Sequence, residues 1–403
     1  MVKFPAKGTD EKAVLSHLED YKKRASLYRF GKNWGMGFYP PQIAMKAYDE
    51  FVDSNMIYAA LGAGNPFPGI TDMENENISM MGSVLGHEGA VGNITIGGTE
   101  ANILALKVAR EKSRRTNGSV VMAITAHPSL VKGCHLLGLE PIRVKTGPDA
   151  IMDPKLMEEA VRDDTIAIVA TCGTHTHGTI DPVEKVGKIA EDHGLYYHVD
   201  AAWGGLICCW LRRVGLYDIP VFDFDVKSVS SMTVDPHKQG FAPMPAGAIL
   251  FRDEDLHKLA AFEFIDEMHG HYFSWTFQGS RTGGPIAAVW ALFNHLGEEG
   301  YVKLSKKCMD LTYKLVNGIK KIPGLAVPVD PKMNIFATYS HDYDINKLVQ
   351  GLEKKGWSGF YSTPYPPSFR CVVLPHHENQ IDSFLSDLED VTRKIETASV
   401  LSH

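Results

Sequence analysis

The sequence predicts an α/β protein, a large domain with a mainly parallel sheet followed by a small α/β domain. Three observations carry this. From residue 93, short β-rich runs alternate with stretches of helical periodicity, the pattern of βαβ units covered on both faces. The last two of these runs have no long helix between them, so that end of the sheet is expected to be antiparallel. Beyond residue 300 the pattern changes, and 403 residues exceed what one typical core holds.

In chain order, Val14, Leu15, Leu18 and Tyr21 fall at helical spacing among charges. A loop rich in glycine and aromatics spans 31–41, and a second spans 61–70. Thr71 and Glu74 then read as a capping box ahead of Ile78, Met81 and Leu85. Strands are expected at 93–96, 120–125, 141–145, 166–171, 196–199, 230–234 and 246–251, with helices at 99–114, 128–137, 154–162 and 182–192. Two long helical patterns, 285–296 and 302–321, lead to strands at 335–339 and 369–374 and helices near 345–355 and from 381. The expected organisation is an N-terminal helical and loop segment (1–70), a large domain (71–310) and a small C-terminal domain (311–403).

Composition narrows the function classes. The net charge is −7, without the basic footprint that dominates nucleic-acid affinity, so no nucleic-acid partner is expected. The most apolar stretch, 201–211, is too short to span a bilayer, and no apolar signal segment follows Met1. Six cysteines, two of them adjacent (Cys208 and Cys209), make neither a disulfide framework nor a CxxC pair. A cytoplasmic protein with no membrane partner is the expectation.

The chemistry lies at the expected strand ends, where ligands sit in such folds. One run ends in Asp235-Pro236-His237-Lys238. A lysine there, partly desolvated, can form an imine with a carbonyl compound; the alternative is a surface lysine in a turn. A second run ends at Asp200, which reads as an acid for a pyridine nitrogen, a helix cap or a metal ligand. Pyridoxal phosphate needs both a lysine for its aldehyde and an acid that keeps its ring nitrogen protonated. A third run passes through Gly97 and Gly98 into a helix beginning Thr99-Glu100-Ala101-Asn102, a cradle for a phosphate or an ordinary tight βα turn. His127, after a fourth run, suits stacking on a heteroaromatic ring or capping a helix. The four together say more than any one of them.

With these motifs the chain resembles the group II pyridoxal-phosphate amino-acid decarboxylases of fold-type I, and within them the archaeal-type tyrosine/aspartate decarboxylases. The likeness is carried by residues 97–102, 198–202, 235–238, 243–251 and 369–376, and runs from about residue 10 to the end. It implies that Lys238 anchors pyridoxal 5'-phosphate, that Asp200 pairs with the pyridinium, and that His127 stacks on the ring with Ala202 beneath. Gly98, Thr99 and His237 would hold the phosphate, and Thr174 would sit near the cofactor's hydroxyl. Arg370 would clamp the substrate carboxylate, as an arginine fork can. Ser280, in Gly279-Ser280-Arg281, matches a segment that reaches a neighbouring subunit's phosphate, which implies a homodimer with active sites at the interface.

The implied reaction is α-decarboxylation of an L-amino acid of the tyrosine/aspartate type, giving carbon dioxide and a primary amine. Tyr272 or His271, in the glycine- and aromatic-containing segment 266–272, is the candidate proton donor. That segment also reads as an ordinary loop. Phe38, Tyr39, Tyr272, Trp275, Tyr361 and Tyr365 are candidates for an aromatic substrate pocket. Residues 173–178 depart from the usual decarboxylase pattern, and His177-Gly178, Ile180-Asp181-Pro182 and 279–284 are similar to sphingosine-1-phosphate lyases. An aldehyde-lyase cleaving a phosphorylated amino alcohol is therefore the alternative. A catalytically silent homologue is disfavoured by the presence of Lys238, Asp200 and His127. His175, His177, His198 and Asp200 have ligand-like spacing, but alternate residues share a strand face anyway, and no metal is expected. His376 and His377 are expected at the surface.

Overall fold

The computed structural model describes residues 4, 6–24, 32–35, 37–56, 65–268, 270–364 and 367–400. In chain order the elements are α1 (Glu11–Arg24), α2 (Gln42–Phe51), α3 (Pro68–Val84), β1 (Val91–Thr95), α4 (Gly98–Ser113), β2 (Ser119–Ala123), α5 (Pro128–Leu137) and β3 (Glu140–Val144). They continue with α6 (Pro154–Glu159), β4 (Thr165–Thr171), α7 (Val183–His193), β5 (Tyr196–Asp200), α8 (Gly205–Arg213), β6 (Ser231–Val234), β7 (Gly247–Phe251) and α9 (Glu254–Ala260). The remainder are β8 (Phe262–Asp266), β9 (Gly270–Ser274), α10 (Gly284–Ile319), β10 (Leu325–Ala326), β11 (Ile335–Ser340), α11 (Ile345–Lys354), β12 (Tyr361–Pro364), β13 (Pro367–Val372) and α12 (Ile381–Val400). The chain divides into two compact units, Tyr39–Thr312 with Pro328–Ala337, and Met1–Phe38 with Tyr313–Val327 and Thr338–His403.

The first unit is an α/β structure on a seven-stranded sheet in the order β1-β7-β6-β5-β4-β2-β3. Strands β3, β2, β4, β5 and β6 run parallel. Strand β7 runs against both β6 and β1, so the antiparallel edge expected from the missing helix is present. Because β7 reverses the direction twice across the sheet, β1 is parallel to β5 and β6. The carboxyl ends of β1, β2, β4, β5 and β6 therefore share one edge, and the segments that follow them are brought together there.

Helix α4 is the main helical contact of this sheet. Ala101, Leu104, Ala105, Leu106, Val108 and Ala109 are all buried, against Val120, Met122, Ile166, Val169, Ile249 and Phe251. A helix apolar on nearly every side belongs in a core rather than on a surface. Its start is equally crowded. A Cβ on Gly247 of β7 would lie 2.5 Å from the Gly97 Cα, so the sheet and the α4 approach can meet this closely only through glycines.

The second unit contains β10, β12, β13 and the end of β11 from Thr338, in a four-stranded sheet of order β10-β11-β13-β12. Here His377, expected at the surface, is fully buried. Its ring stacks 4.3 Å from Trp34, Nδ1 accepts from Leu374 N at 2.9 Å, and Nε2 donates to the Asn33 carbonyl at 2.8 Å. Burial pushes it down to about 3, so it is neutral. The apolar side chains of α1, Val14, Leu15, Leu18 and Tyr21, are exposed.

Two local expectations are corrected. Helix α3 begins at Pro68 with Phe67 as its N-cap, so Thr71 and Glu74 lie inside it and form no capping box. Glu74 has a stronger partner: its two carboxylate oxygens take Arg281 at 2.7 and 2.8 Å, and Oε1 also accepts from Ile94 N. The segment read as a loop at 266–272 is part of a β-hairpin, β8 against β9, in which Tyr272 faces Phe264. His269 lies outside the described residues. The two long patterns after residue 284 are merged in α10, interrupted at Gly297, whose φ of 57° and ψ of −173° are not helical.

Candidate active site

The shared sheet edge opens into a cavity of about 490 Å³, within the range of small-molecule sites. Its lining comes from the ends of five strands: Gly97, Gly98 and Thr99 after β1, His127 after β2, Thr171 and Gly173 from β4, Asp200 and Ala202 from β5, and Asp235, His237 and Lys238 after β6. Lys132, Trp203, His175 and Phe277 also line it, as do Glu100 and Asn102 of α4.

Lys238 stands one turn beyond Asp235, and its Nζ lies 2.8 Å from Asp235 Oδ2. The ammonium also lies 5.5 Å from the centre of the Trp203 ring, within cation–π range. Asp235 is buried and its Oδ1 has no hydrogen-bond partner among the described residues. Helix α4 begins beside this pair without a side-chain cap, and Gly97 has φ +137°. A Cβ on Gly98 would sit 2.8 Å from Asp235 Oδ2 and 3.0 Å from the Ala202 Cβ. The uncapped N–H groups of α4 thus face the cavity across glycines that keep the approach open, an anion cradle.

Asp200 ends β5. Its Oδ1 accepts from Ala202 N at 3.1 Å and its Oδ2 from Asn102 Nδ2 at 2.9 Å. Two donors, one at each oxygen, fix the orientation of the carboxylate. Behind it, Asn102 Oδ1 accepts from Thr233 Oγ1 at 2.7 Å and from His198 Nε2 at 3.0 Å. Nδ1 of His198 meets Ser231 Oγ at 2.8 Å. Burial pushes His198 down to about 4, so the buried imidazole is neutral.

This has a pH consequence. A histidine held neutral in the fold but titrating near 6.5 when unfolded contributes stability that is complete above about pH 6.5 and is lost as pH falls toward 4, by up to about 1.4 kcal/mol per pH unit. Urea midpoints measured from pH 7.5 to 4.5 are expected to fall more steeply for the wild type than for His198→Gln. The difference between the two profiles isolates His198, because the other shifted groups are common to both proteins: Asp181 and Asp223, pushed up to about 6 by burial, act in the opposite sense, and His257 and His377, pushed down, in the same sense. Parallel profiles contradict the neutral buried imidazole.

The structure gathers most of the residues singled out in the sequence: Lys238, Asp200, His127, Ala202, Gly98, Thr99 and His237 all line the one cavity. His127 caps α5, its Nδ1 accepting from Ser129 N at 3.2 Å, and its ring meets that of His175 edge-on at 5.3 Å. His237 is tied by Nδ1 to the Ala246 carbonyl at 2.6 Å. Burial holds its pKa below the usual histidine value.

Other residues are placed elsewhere. Thr174 is fully buried with Oγ1 on Thr179 Oγ1 at 2.7 Å, and its neighbours Gly173 and His175 line the cavity instead. Ser280 is exposed and Tyr272 lies on the hairpin, 6.2 Å from the Phe262 ring; neither lines this cavity. Tyr39 and Trp275 do not line it either, and Tyr365 lies outside the described residues. Arg370 belongs to the second unit, half-buried on β13 with its guanidinium 5.3 Å from the Tyr361 ring centre. His175 and His177 sit in a turn, not on a strand, and among the described residues no group of three or more His, Cys, Asp or Glu could hold a metal ion.

Sequence reading named Asp235 and Glu100 within motifs but gave no role to either: Asp235 is the counter-ion of Lys238, and the two oxygens of Glu100 accept from Ile96 N and Phe277 N at 2.8 and 2.9 Å. It also gave no role to Asn102. Polar side chains interrupting the apolar run of α4 were the available signal, since a buried amide or carboxylate requires partners.

A lysine and a carboxylate at parallel strand ends, beside an uncapped glycine-lined helix start, define a site of the pyridoxal-phosphate type. The sequence profile of the pyridoxal-dependent decarboxylase conserved domain matches residues 55–337, and the chain belongs to that family. It is a group II pyridoxal-phosphate-dependent carboxy-lyase of amino-acid metabolism, and its cofactor is pyridoxal 5'-phosphate. It is 36% identical over 352 residues to a Methanothermobacter thermautotrophicus protein named "Probable L-tyrosine/L-aspartate decarboxylase", covering 87% of this chain and 94% of the relative. It is 33% identical over 402 residues to the L-aspartate decarboxylase of Thermococcus kodakarensis, covering 97% and 100%. Among solved structures, a sphingosine-1-phosphate lyase of Burkholderia pseudomallei superposes with a TM-score of 0.91 at 27% identity, covering 100% of this chain and 94% of that one.

The residues present fit the cofactor. The glycine cradle that any Cβ would fill, the Asp235 oxygen left without a partner, and a carboxylate oriented by two donors are what a phosphate, an amine-bearing lysine and a protonated pyridine nitrogen require.

Proposed function

We propose that this protein removes the α-carboxylate of an L-amino acid of the aspartate/tyrosine class, with L-aspartate the first substrate to test. The observation that carries the reading is the pairing of Lys238 and Asp200 in one cavity whose lining also includes a second lysine, Lys132. An acidic side chain needs such a cation. The relatives named above support the choice.

Bound pyridoxal phosphate supplies an aldehyde for an amine and a ring that accepts the electron pair released when the carboxylate leaves as carbon dioxide. The chain supplies the rest. Asp235 Oδ2, 2.8 Å from Lys238 Nζ, holds the lysine in place within the cavity. Asp200 keeps a fixed negative charge for the protonated ring nitrogen, and the α4 N–H groups with Thr99 hold the phosphate. His127 and Ala202 flank the ring. The role of Arg370 as clamp for the substrate carboxylate rests on the family resemblance, as do Thr174 near the cofactor's hydroxyl and Ser280 toward a neighbour's phosphate.

A homodimer with the sites at its interface belongs to the same proposal. The hairpin supports it: Phe262 and Phe264, stacked on one face of β8, are 54 and 46% exposed, and Ile265 and Met268 are 75 and 90% exposed, apolar surface of the kind that marks a protein interface. On that reading Tyr272 serves as proton donor from the partner's side. A cytoplasmic location is supported by six cysteines, all buried and all free thiols. Among the described residues no helix is long and apolar enough to cross a membrane.

The similarity to the sphingosine-1-phosphate lyase structure keeps the aldehyde-lyase as the second reading. A product screen separates the two. The loaded enzyme is offered aspartate, tyrosine, glutamate, cysteate and a phosphorylated long-chain base, with products identified by mass spectrometry. β-Alanine and carbon dioxide from aspartate, or tyramine from tyrosine, are the expected results. An aldehyde with phosphoethanolamine, and no amine from any amino acid, overturns the decarboxylase reading.

A further inference from the structure

Asn102 is almost wholly buried in the second turn of α4, followed there by the buried Ile103, Leu104, Ala105 and Leu106. An asparagine amide has two donor hydrogens and one oxygen with two lone pairs, and all four are used. Nδ2 donates to Asp200 Oδ2 and to Ser129 Oγ, each at 2.9 Å. Oδ1 accepts from Thr233 Oγ1 and His198 Nε2.

The polarity of this network has one consistent solution. Asp200 can only accept, so the NH2 side of Asn102 must face it. His198 must then carry its hydrogen on Nε2, and Nδ1 accepts from the Ser231 hydroxyl. Ser231 Oγ in turn receives the Tyr196 hydroxyl at 2.6 Å. On the other branch, Ser129 Oγ accepts from Asn102 and spends its own hydrogen on His127 Nδ1, 2.8 Å away. The Ser129 N–H points at the same nitrogen at 3.2 Å. Two donors converge on His127 Nδ1, so a neutral His127 carries its hydrogen on Nε2.

We propose that Asn102 is the positioning residue of this site, orienting the Asp200 carboxylate and, through Ser129, setting the tautomer of the His127 ring. The two groups expected on opposite sides of the cofactor's chemistry, one at the ring nitrogen and one at the ring face, are thereby referred to a single buried amide. The inference rests on the cofactor site proposed above. It adds a residue at the cavity wall whose four hydrogen bonds are all spent on protein groups and which acts through Asp200 and His127. Networks of this kind, fully satisfied and buried, fix geometry more tightly than isolated bonds do.

The test uses the full chain and pyridoxal 5'-phosphate as probe, with Asn102→Ala as the main variant. Cofactor affinity is read by fluorescence quenching, ring orientation by the induced circular dichroism of the bound cofactor's visible band, and catalysis by separate kcat and KM. Asn102→Ala is expected to bind the cofactor about 10- to 100-fold more weakly, as loss of a hydrogen bond to a buried charge implies. Its visible dichroic band should be diminished or shifted, and kcat should fall about tenfold or more while KM moves less than about threefold. Thr233→Val, which keeps the shape and removes one donor to Asn102 Oδ1, is expected to move the same readouts in the same direction by a smaller factor. A variant that melts earlier but keeps the wild-type band, affinity and kcat shows a merely structural role and overturns the inference. Should Asn102→Ala fail to fold, Thr233→Val and Ser129→Ala decide: wild-type spectra and kinetics in both overturn it. If the wild type itself takes up no cofactor through Lys238, the site reading fails and this inference with it, an outcome distinct from wild-type behaviour in the variants.

Discussion

Lys238→Ala is expected to abolish covalent retention of pyridoxal phosphate and to lower kcat by about a thousandfold or more, since the nucleophile that anchors the cofactor is gone. In the wild type, borohydride should fix the cofactor to the peptide containing Lys238, and mass spectrometry of the digest reads the attachment directly. The substitution has a second effect. Removing the ammonium 2.8 Å from Asp235 leaves a buried carboxylate without its counter-ion, at a cost of about 1–3 kcal/mol. Lys238→Arg separates the two contributions, because it keeps a cation beside Asp235 but offers no amine that becomes nucleophilic near neutral pH. Lys238→Arg is therefore expected to be more stable than Lys238→Ala and equally inactive. Borohydride labelling at another lysine, or an active Lys238→Arg, contradicts the assignment.

Asp200→Asn should lower kcat by about 10²–10³, the size of effect seen when a preorganised electrostatic group is removed from a water-poor site. The side chain keeps its volume but loses the charge that holds a ring nitrogen protonated. It also cannot satisfy both present partners: Asn102 Nδ2 and Ala202 N are both donors, and an asparagine oxygen can face only one of them. Asp200→Glu keeps the charge but lengthens the side chain, so the carboxylate can no longer meet both donors, and an intermediate loss is expected. The measurement is amine release in single turnovers, which separates the chemical step from product release. Asp200→Asn within tenfold of wild type contradicts the role.

Much of the fold was legible because its determinants are local. Continuous β-rich runs and helical periodicity located β1 to β7 and α4 to α7 to within a few residues, since each element's burial pattern is written in its own stretch of chain. The hairpin β8–β9 was not, because its strands are largely exposed on both faces and carry charges and a glycine, so no buried face marks them. Glu74 misled for a related reason. Its spacing from Thr71 suits a cap, but the residue that claims it, Arg281, lies 207 positions away.

The sequence by itself determined the class of fold, the lysine, the aspartate and the glycines, because strand-end chemistry needs particular residue types in short segments. Tertiary structure alone decided which of the remaining polar residues serve the site. Thr174, adjacent in sequence to two cavity residues, turns away onto Thr179, whereas Asn102, a full helical turn from Gly98, becomes the hub behind Asp200. The physical reason is burial. A polar side chain taken out of water binds the partners that packing brings within about 3 Å, and across this sheet those partners come from strands and helices far apart in the chain.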